Sequence, residues 1–375
     1  LIPVMLTGLA RPDPAFAEPR NWRAWDAFRQ GFIQSDGRVI EHEANGRTTS
    51  EGQAYAMFFA LVSNDLTLFE RLLRWTEDNL AHGNLKNHLP GWQWGQNPGG
   101  EWRTLDDHSA SDADLWMAYA LLEAGRLWQV PRYREIGLAM LEQARDKEML
   151  LLPNGLSTLL PGPVGFQLDD RVWRLNPSYF VPQQFSVFAR SDPAGPWRAL
   201  DTQLPEMMAG CCPTGFAPDW LTYRMPGGWQ TDQDQRTVGS HDAIRVYLWA
   251  GMMDKAQPGH DRLLRSLHGM HGLLRIRNDP PEKIDIRSGL GSGKGSPGFV
   301  AALLPYLNAL GEEKLLVRSM QQLHATEADG LYGARPRYYD QVLVLFGLGY
   351  MEQRYRFSRC GALLVAWNGF ADDGC

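Results

Sequence analysis

"ASDADLWMAYALLEAGRLW", residues 110–128, sets two aspartates, Asp112 and Asp114, behind a serine and ahead of a long apolar run. Its apolar residues recur at helical spacing and do not alternate, so the stretch predicts an α-helix. Ser111 with Asp114 three residues on fits a capping box, which marks the helix start. Two further stretches open in the same way: "TSEGQAYAM" (49–57), with Ser50 and Gln53, and "SHDAIRVYLW" (240–249), with Ser240 as N-cap. Helical periodicity returns in about a dozen segments, starting near residues 20, 50, 66, 111, 131, 177, 192, 240, 257, 297, 313 and 338. Strand-like alternation is scarce. The intervening stretches, such as "GNLKNHLPGWQWGQNPGGEWRTLDDHSAS" and "RSGLGSGKGSPG", are rich in Gly, Pro and Asn and read as long loops of the kind that carry function.

Paired helices in succession, with no linker or composition break, predict an all-α fold, either a helical repeat or a closed ring of αα-hairpins. The ring suits one domain of 375 residues. The three stretches head the second, fourth and eighth helices. In a ring of alternating up and down helices, even-numbered helices point the same way, so Glu51, Asp112 and Asp242 are expected around one mouth. An acid in a first helical turn is ordinarily there to complement the helix dipole, a gain of about 0.3–1 kcal/mol. The dipole also lowers a carboxyl pKa, so Glu51 can donate protons near neutrality only if burial and a neighbouring carboxylate raise it. The apolar run after Glu51 supplies the burial. Trp92, Trp94 and Trp102 fall in the loop between the first two acids, and flat amphipathic rings suit stacking on sugars. Two carboxylates beside an aromatic-lined groove is the arrangement that glycoside hydrolysis requires.

Composition removes other classes. A net charge of −6 with no basic cluster lacks the footprint of a nucleic-acid binder. Four cysteines, Cys211, Cys212, Cys360 and Cys375, do not make a disulfide framework, and the neighbours Cys211 and Cys212 are not expected to pair. No CxxC or His/Cys cluster suggests zinc, so neither metal nor cofactor is expected. "GLGSGKG" (289–295) resembles a phosphate loop but has Gly295 where Ser or Thr should follow Lys294, and it reads as a Gly-rich loop. There is no G-x-S-x-G elbow and no H-E-x-x-H helix. His241 stands beside Asp242, either to orient it or as an ordinary rim residue. The start, "LIPVMLTGLARPDPAFAEP", offers an apolar stretch and then Ala15-Phe16-Ala17, so residues 1–17 read as the remnant of a signal peptide and export to the periplasm or beyond is expected. No later stretch approaches the roughly 20 apolar residues that cross a bilayer.

The sequence resembles glycoside hydrolase family 8, also called cellulase family D, and most of all its endoglucanases of bacterial cellulose synthesis. Residues 110–128 carry the family signature. "TSEGQAYAM" (49–57), "LPGWQWG" (89–95), "NPSYF" (176–180), "SHDAIRVYLWAGM" (240–252) and "YYDQVLVLFGLGY" (338–350) match in family order. The resemblance implies an (α/α)6 barrel of six helical hairpins spanning 18–368, with 369–375 as a tail. It also implies an open groove and metal-independent hydrolysis of β-1,4-glucan with inversion. By motif, Glu51 matches the general acid, Asp242 the general base, and Asp112 the signature aspartate, read as binding the sugar beside the cleavage point. Tyr179 and Arg245 match residues lining that subsite, and Trp92, Trp94 and Trp102 would be stacking platforms. The residue before the base is often Tyr in the family and is His241 here. Chitosanases, xylanases and lichenases share the scaffold, so a chitosanase or xylanase is the alternative enzyme. A non-catalytic glucan-binding accessory of a synthase complex is the alternative outside catalysis. The physiological setting implied is trimming of product at the cellulose synthase export machinery.

Overall fold

The computed structural model describes residues 22–232, 237–372 and 375. The expected signal-peptide remnant, 1–17, lies outside them. Fourteen α-helices occur among the described residues: α1 Arg23–Phe32, α2 Ser50–Val62, α3 Leu66–Leu80, α4 Ser111–Leu127, α5 Pro131–Lys147, α6 Pro182–Ser191, α7 Trp197–Leu200, α8 Gln203–Cys211, α9 Ala243–Met252, α10 His260–Ser266, α11 His268–Ile276, α12 Pro297–Ala309, α13 Glu313–His324 and α14 Tyr338–Met351.

Burial sorts these helices into two layers. In α2, α4, α9, α12 and α14 nearly every residue is buried, the property of helices enclosed on all sides. In α3 only a stripe is buried, including Leu68, Phe69, Leu72, Leu73, Thr76 and Leu80, and α1 and α13 are likewise one-sided. The enclosed helices and α6 form the inner ring, through the contacts of α2 with α4, α4 with α6, α9 with α12, and α12 with α14. Against them pack α3, α5, the pair α7 and α8, the pair α10 and α11, α13, and finally α1, which closes the ring on α14. This is the expected (α/α)6 barrel.

Four rings from four inner helices fill the barrel axis. Phe58 lies 5.2 Å from Trp116, Trp116 5.3 Å from Trp249, Trp249 5.3 Å from Phe346, and Phe346 5.5 Å from Phe58, centroid to centroid. The inner helices approach closely where side chains are absent. A Cβ on Gly347 of α14 would stand 1.9 Å from the Ala301 carbonyl oxygen, and one on Gly251 of α9 would stand 2.1 Å from the Tyr306 nitrogen, both on α12.

The structure corrects several expectations. The helix after Asp242 is the ninth, not the eighth, because the outer layer between α6 and α9 is broken into α7 and α8. Direction is unaffected, since inner helices alternate with outer layers however these are divided. Short antiparallel strands occupy the long loops: Thr48–Thr49 pairs with Gln93–Gln96, which pairs with Trp102–Asp106, and Val238–Gly239 with Lys283–Asp285. The capping boxes do not form. Thr49 caps α2 by accepting from Gly52 N at 3.1 Å, while Gln53 faces inward and accepts from Val39 N at 2.8 Å. Ser111 Oγ donates to Leu160 O at 2.7 Å, and Ser240 Oγ donates to Asp219 at 2.6 Å. Thus α2 is capped locally, but by the residue before Ser50, while the Ser111 and Ser240 hydroxyls are drawn to partners on other segments. Cys211 and Cys212 are joined, against expectation: Cys211 ends α8 and Cys212 leaves the helix, so their side chains are free of ordinary helical divergence. Cys360 is bonded to Cys375, which ties the tail to the barrel.

Candidate active site

Thr48–Thr49 runs straight into α2, and Ser50 N donates to Trp92 O at 3.1 Å, so the tryptophan hairpin is hydrogen-bonded to the segment that presents Glu51. Asp112 is the second residue of α4 and Asp242 the N-cap of α9. The three acids therefore do meet, at the N-terminal ends of three inner helices.

What joins them is Arg245, one turn into α9 and 3% exposed. Its Nη1 donates to Glu51 Oε2 at 2.7 Å, to Tyr55 Oη at 3.1 Å and to Asp112 Oδ2 at 3.2 Å, and its Nη2 donates to Asp242 Oδ1 at 2.7 Å. A rigid guanidinium fork with several fixed donors suits this task better than an ammonium. The Tyr179 ring lies 5.6 Å from the Arg245 Cζ. A cleft of about 330 Å³ opens over the cluster, lined by Glu51, Asp242 and Arg245 with Glu41, His241 and Tyr339.

Burial pushes the Glu51 carboxyl up to about 8; Arg245 opposes this, while the charge of Asp112 and a hydrogen bond with it push further. Burial also raises Asp112, against the pull of Arg245. At neutral pH, then, Glu51 keeps a proton, directed at Asp112. Burial and a neighbouring carboxylate overcome the dipole, as a general acid requires.

The turn bearing Asp242 is held by a residue the sequence did not single out. Asp219 accepts from Ser240 N at 2.7 Å, from Ala243 N at 2.9 Å and from Ser240 Oγ at 2.6 Å, clamping both flanks of Asp242. His241 does not orient Asp242 with its ring, which packs on Phe299 and Tyr339; its carbonyl accepts from Tyr339 Oη at 2.5 Å. Tyr55 could have been found from sequence, since it lies one helical turn after Glu51. Asp219 and Tyr339 gave no local signal.

The tryptophans divide. Trp102 is 46% exposed. Trp94 stacks on it at 5.0 Å, meets the edge of Trp75 at 5.4 Å, and has the Arg38 guanidinium 4.4 Å from its ring, so protein occupies much of its surface. The Trp92 indole donates to Asp106. Among the described residues, the metal-ligand types that cluster tightly are Cys360, Asp372 and Cys375, and the two sulfurs are bonded to each other, leaving no thiolate to ligate.

Comparison with known proteins gives the same direction. The family model for glycosyl hydrolases family 8 matches residues 14–353. The chain is 45% identical over 368 residues to an endoglucanase of Xanthomonas axonopodis pv. citri (strain 306), covering 96% of this chain and 95% of that one. It is 42% identical over 348 residues to an endoglucanase of Escherichia coli (strain K12), covering 92% of each. The crystal structure of endo-1,4-D-glucanase from Vibrio fischeri ES114 superposes with a TM-score of 0.84 at 36% identity, covering 93% of this chain and 100% of that one.

Proposed function

Because this chain belongs to the family 8 glycosyl hydrolases, we propose that it is an endo-β-1,4-glucanase that cuts by single displacement with inversion, Glu51 acting as acid and Asp242 as base. The observation that carries this reading is the cluster on Arg245, in which a protonated carboxyl and a second carboxylate open on the same cleft. Glu51 protonates the leaving glycosidic oxygen. Asp242, which lies on the other guanidinium nitrogen, takes a proton from the attacking water. Asp112, held by Arg245 and by Ala113 N at 2.8 Å, accepts a hydroxyl hydrogen of the sugar beside the scissile bond. Trp102 offers the open ring for a glucose unit, backed by Trp94, and Tyr179 lines the subsite at Arg245.

Glu51→Gln keeps the side-chain shape but cannot deliver a proton. Its turnover of carboxymethylcellulose should fall to about a hundredth or less while cello-oligosaccharide affinity persists. Turnover well above that level removes Glu51 from the acid role. Running xylan and chitosan beside carboxymethylcellulose in the same reducing-sugar assay tests the choice of β-1,4-glucan. We place the enzyme in the periplasm or outside the cell, in the setting of cellulose synthesis and export. The Cys360–Cys375 disulfide suits an oxidising compartment.

A further inference from the structure

Behind Asp112 lies a second pair of acids that the reaction as described does not use. Asp114, two residues further along α4, is 1% exposed, and Glu148, which follows α5, is 0% exposed. The Ser109 hydroxyl donates to Glu148 Oε1 at 2.6 Å. Both Asp114 oxygens and Glu148 Oε2 are left without an N–H or O–H donor from any other described residue. The two carboxyls lie against each other in this enclosed space. Two ionised carboxylates buried side by side, with three of their four oxygens lacking a donor, would repel each other unsolvated, so the pair requires one proton between them.

The placement is unfavourable on other grounds. Glu148 caps the C-terminus of α5, its N donating to Ala144 O at 2.8 Å, where the helix dipole is negative and repels a carboxylate. Burial pushes Asp114 well above the usual carboxylate range, and the Glu148 charge adds to this. Burial pushes Glu148 up only to about 7, because hydrogen bonds from Asp114 and Ser109 favour its charged form. Ser109 already donates to Glu148 Oε1, which favours the ionised form of Glu148, so the proton belongs to Asp114.

We propose that Asp114 is a neutral carboxylic acid donating to the Glu148 carboxylate, and that this bond positions Asp112 at the cleavage centre. Residues on both sides of Asp112 converge on Glu148. Asp114 and Ser109 bond its carboxyl, and Ser111 Oγ donates to Leu160 O at 2.7 Å, while Leu160 N donates to Glu148 O at 2.8 Å. The start of α4 has no side-chain cap, so these bonds to the end of α5 fix where Asp112 stands. The "DAD" of residues 112–114 thus holds two acid–carboxylate pairs, Glu51 with Asp112 and Asp114 with Glu148. The inference rests on the reading of Asp112 as part of the cleavage centre.

Infrared difference spectroscopy tests the proton without reference to activity. In Glu51→Gln enzyme at neutral pH, a protonated-carboxyl C=O stretch is expected and should vanish on adding Asp114→Asn; a spectrum that this change leaves untouched overturns the shared proton. Kinetics test the positioning. Asp114→Asn, whose amide can still donate to Glu148, should keep kcat within about threefold. Asp114→Ala should lower kcat about tenfold or more with KM for cellohexaose within about twofold, as expected of a misplaced group. Loss of activity in Asp114→Asn, or full kcat in Asp114→Ala, overturns the proposal. Should Asp114→Ala not fold, Glu148→Met removes the acceptor and carries the same arm. Full activity in Asp112→Asn would remove the reading of Asp112 while the infrared band stayed, so the two failures are separable.

Discussion

At the scale of single residues, the site runs on opposed effects at Glu51. Helix position and Arg245 favour the carboxylate; burial, Asp112 and the hydrogen bond between the two acids favour the proton, and they win, with a pKa of about 8. The sign for activity follows. A general acid works while protonated, so kcat/KM should fall as pH rises through about 8, with the slope of one proton. Asp112→Asn removes a charge that raises Glu51, so whatever activity remains should lose its alkaline limb at lower pH than wild type. A limb that stayed in place or moved upward in that variant would show that Asp112 does not set the Glu51 proton. Glu51 itself was legible in sequence as an acid before an apolar run. Its protonation was not, because Asp112, which raises it, and Arg245, which lowers it, both lie far away along the chain.

At the scale of elements, the inner helices are specified by being apolar on every side, and their spacing by glycine. Gly347 lets α14 touch the α12 backbone, and Gly251 does the same for α9. Gly347→Ala should destabilise the fold by about 1–3 kcal/mol, since a Cβ would overlap the Ala301 carbonyl and rigid backbone must move. Gly272 in α11 is the control: a Cβ there meets nothing within 4 Å, so Gly272→Ala should be neutral or stabilising by about 0.5–1 kcal/mol through helix propensity. Thermal unfolding of the two variants checks this, and a Gly347→Ala midpoint equal to wild type would show that the helices can part at no cost. The capping boxes misread at Ser50 and Ser111 belong to this scale too. At α2 the cap is the neighbouring hydroxyl of Thr49, and at α4 the Ser111 hydroxyl is spent on the distant Leu160 carbonyl, which spacing along the sequence does not reveal.

At the scale of the whole molecule, the proposed inversion depends on the barrel, which sets Glu51 on α2 and Asp242 before α9 with the Arg245 guanidinium bonded to both. An inverting pair needs about 6.5–9.5 Å between carboxyl groups, room for a water, whereas a retaining pair stands about 5–5.5 Å apart. Proton NMR of cellohexaose during the first minutes of digestion should show the α-anomer forming first and β appearing only by mutarotation. Initial β-anomer would move Asp242 out of the base role and revive a nucleophile, with Asp112 the residue in reach.

What the sequence determined alone was the class of fold and the gathering of acids. Periodicity in helical segments narrowed the fold to a helical repeat or a closed ring, the resemblance to family 8 pointed to the ring, and an alternating ring places every inner N-terminus at one end whatever the loops do. The tertiary structure decided the rest. It broke one outer layer into two helices, brought Asp219 to the flanks of Asp242, packed Trp94 away behind Trp102, and set Glu148 against Asp114. The physical reason is common to all four. Charge state, capping and exposure depend on which distant groups share a dry space, and distance along the chain carries no record of that.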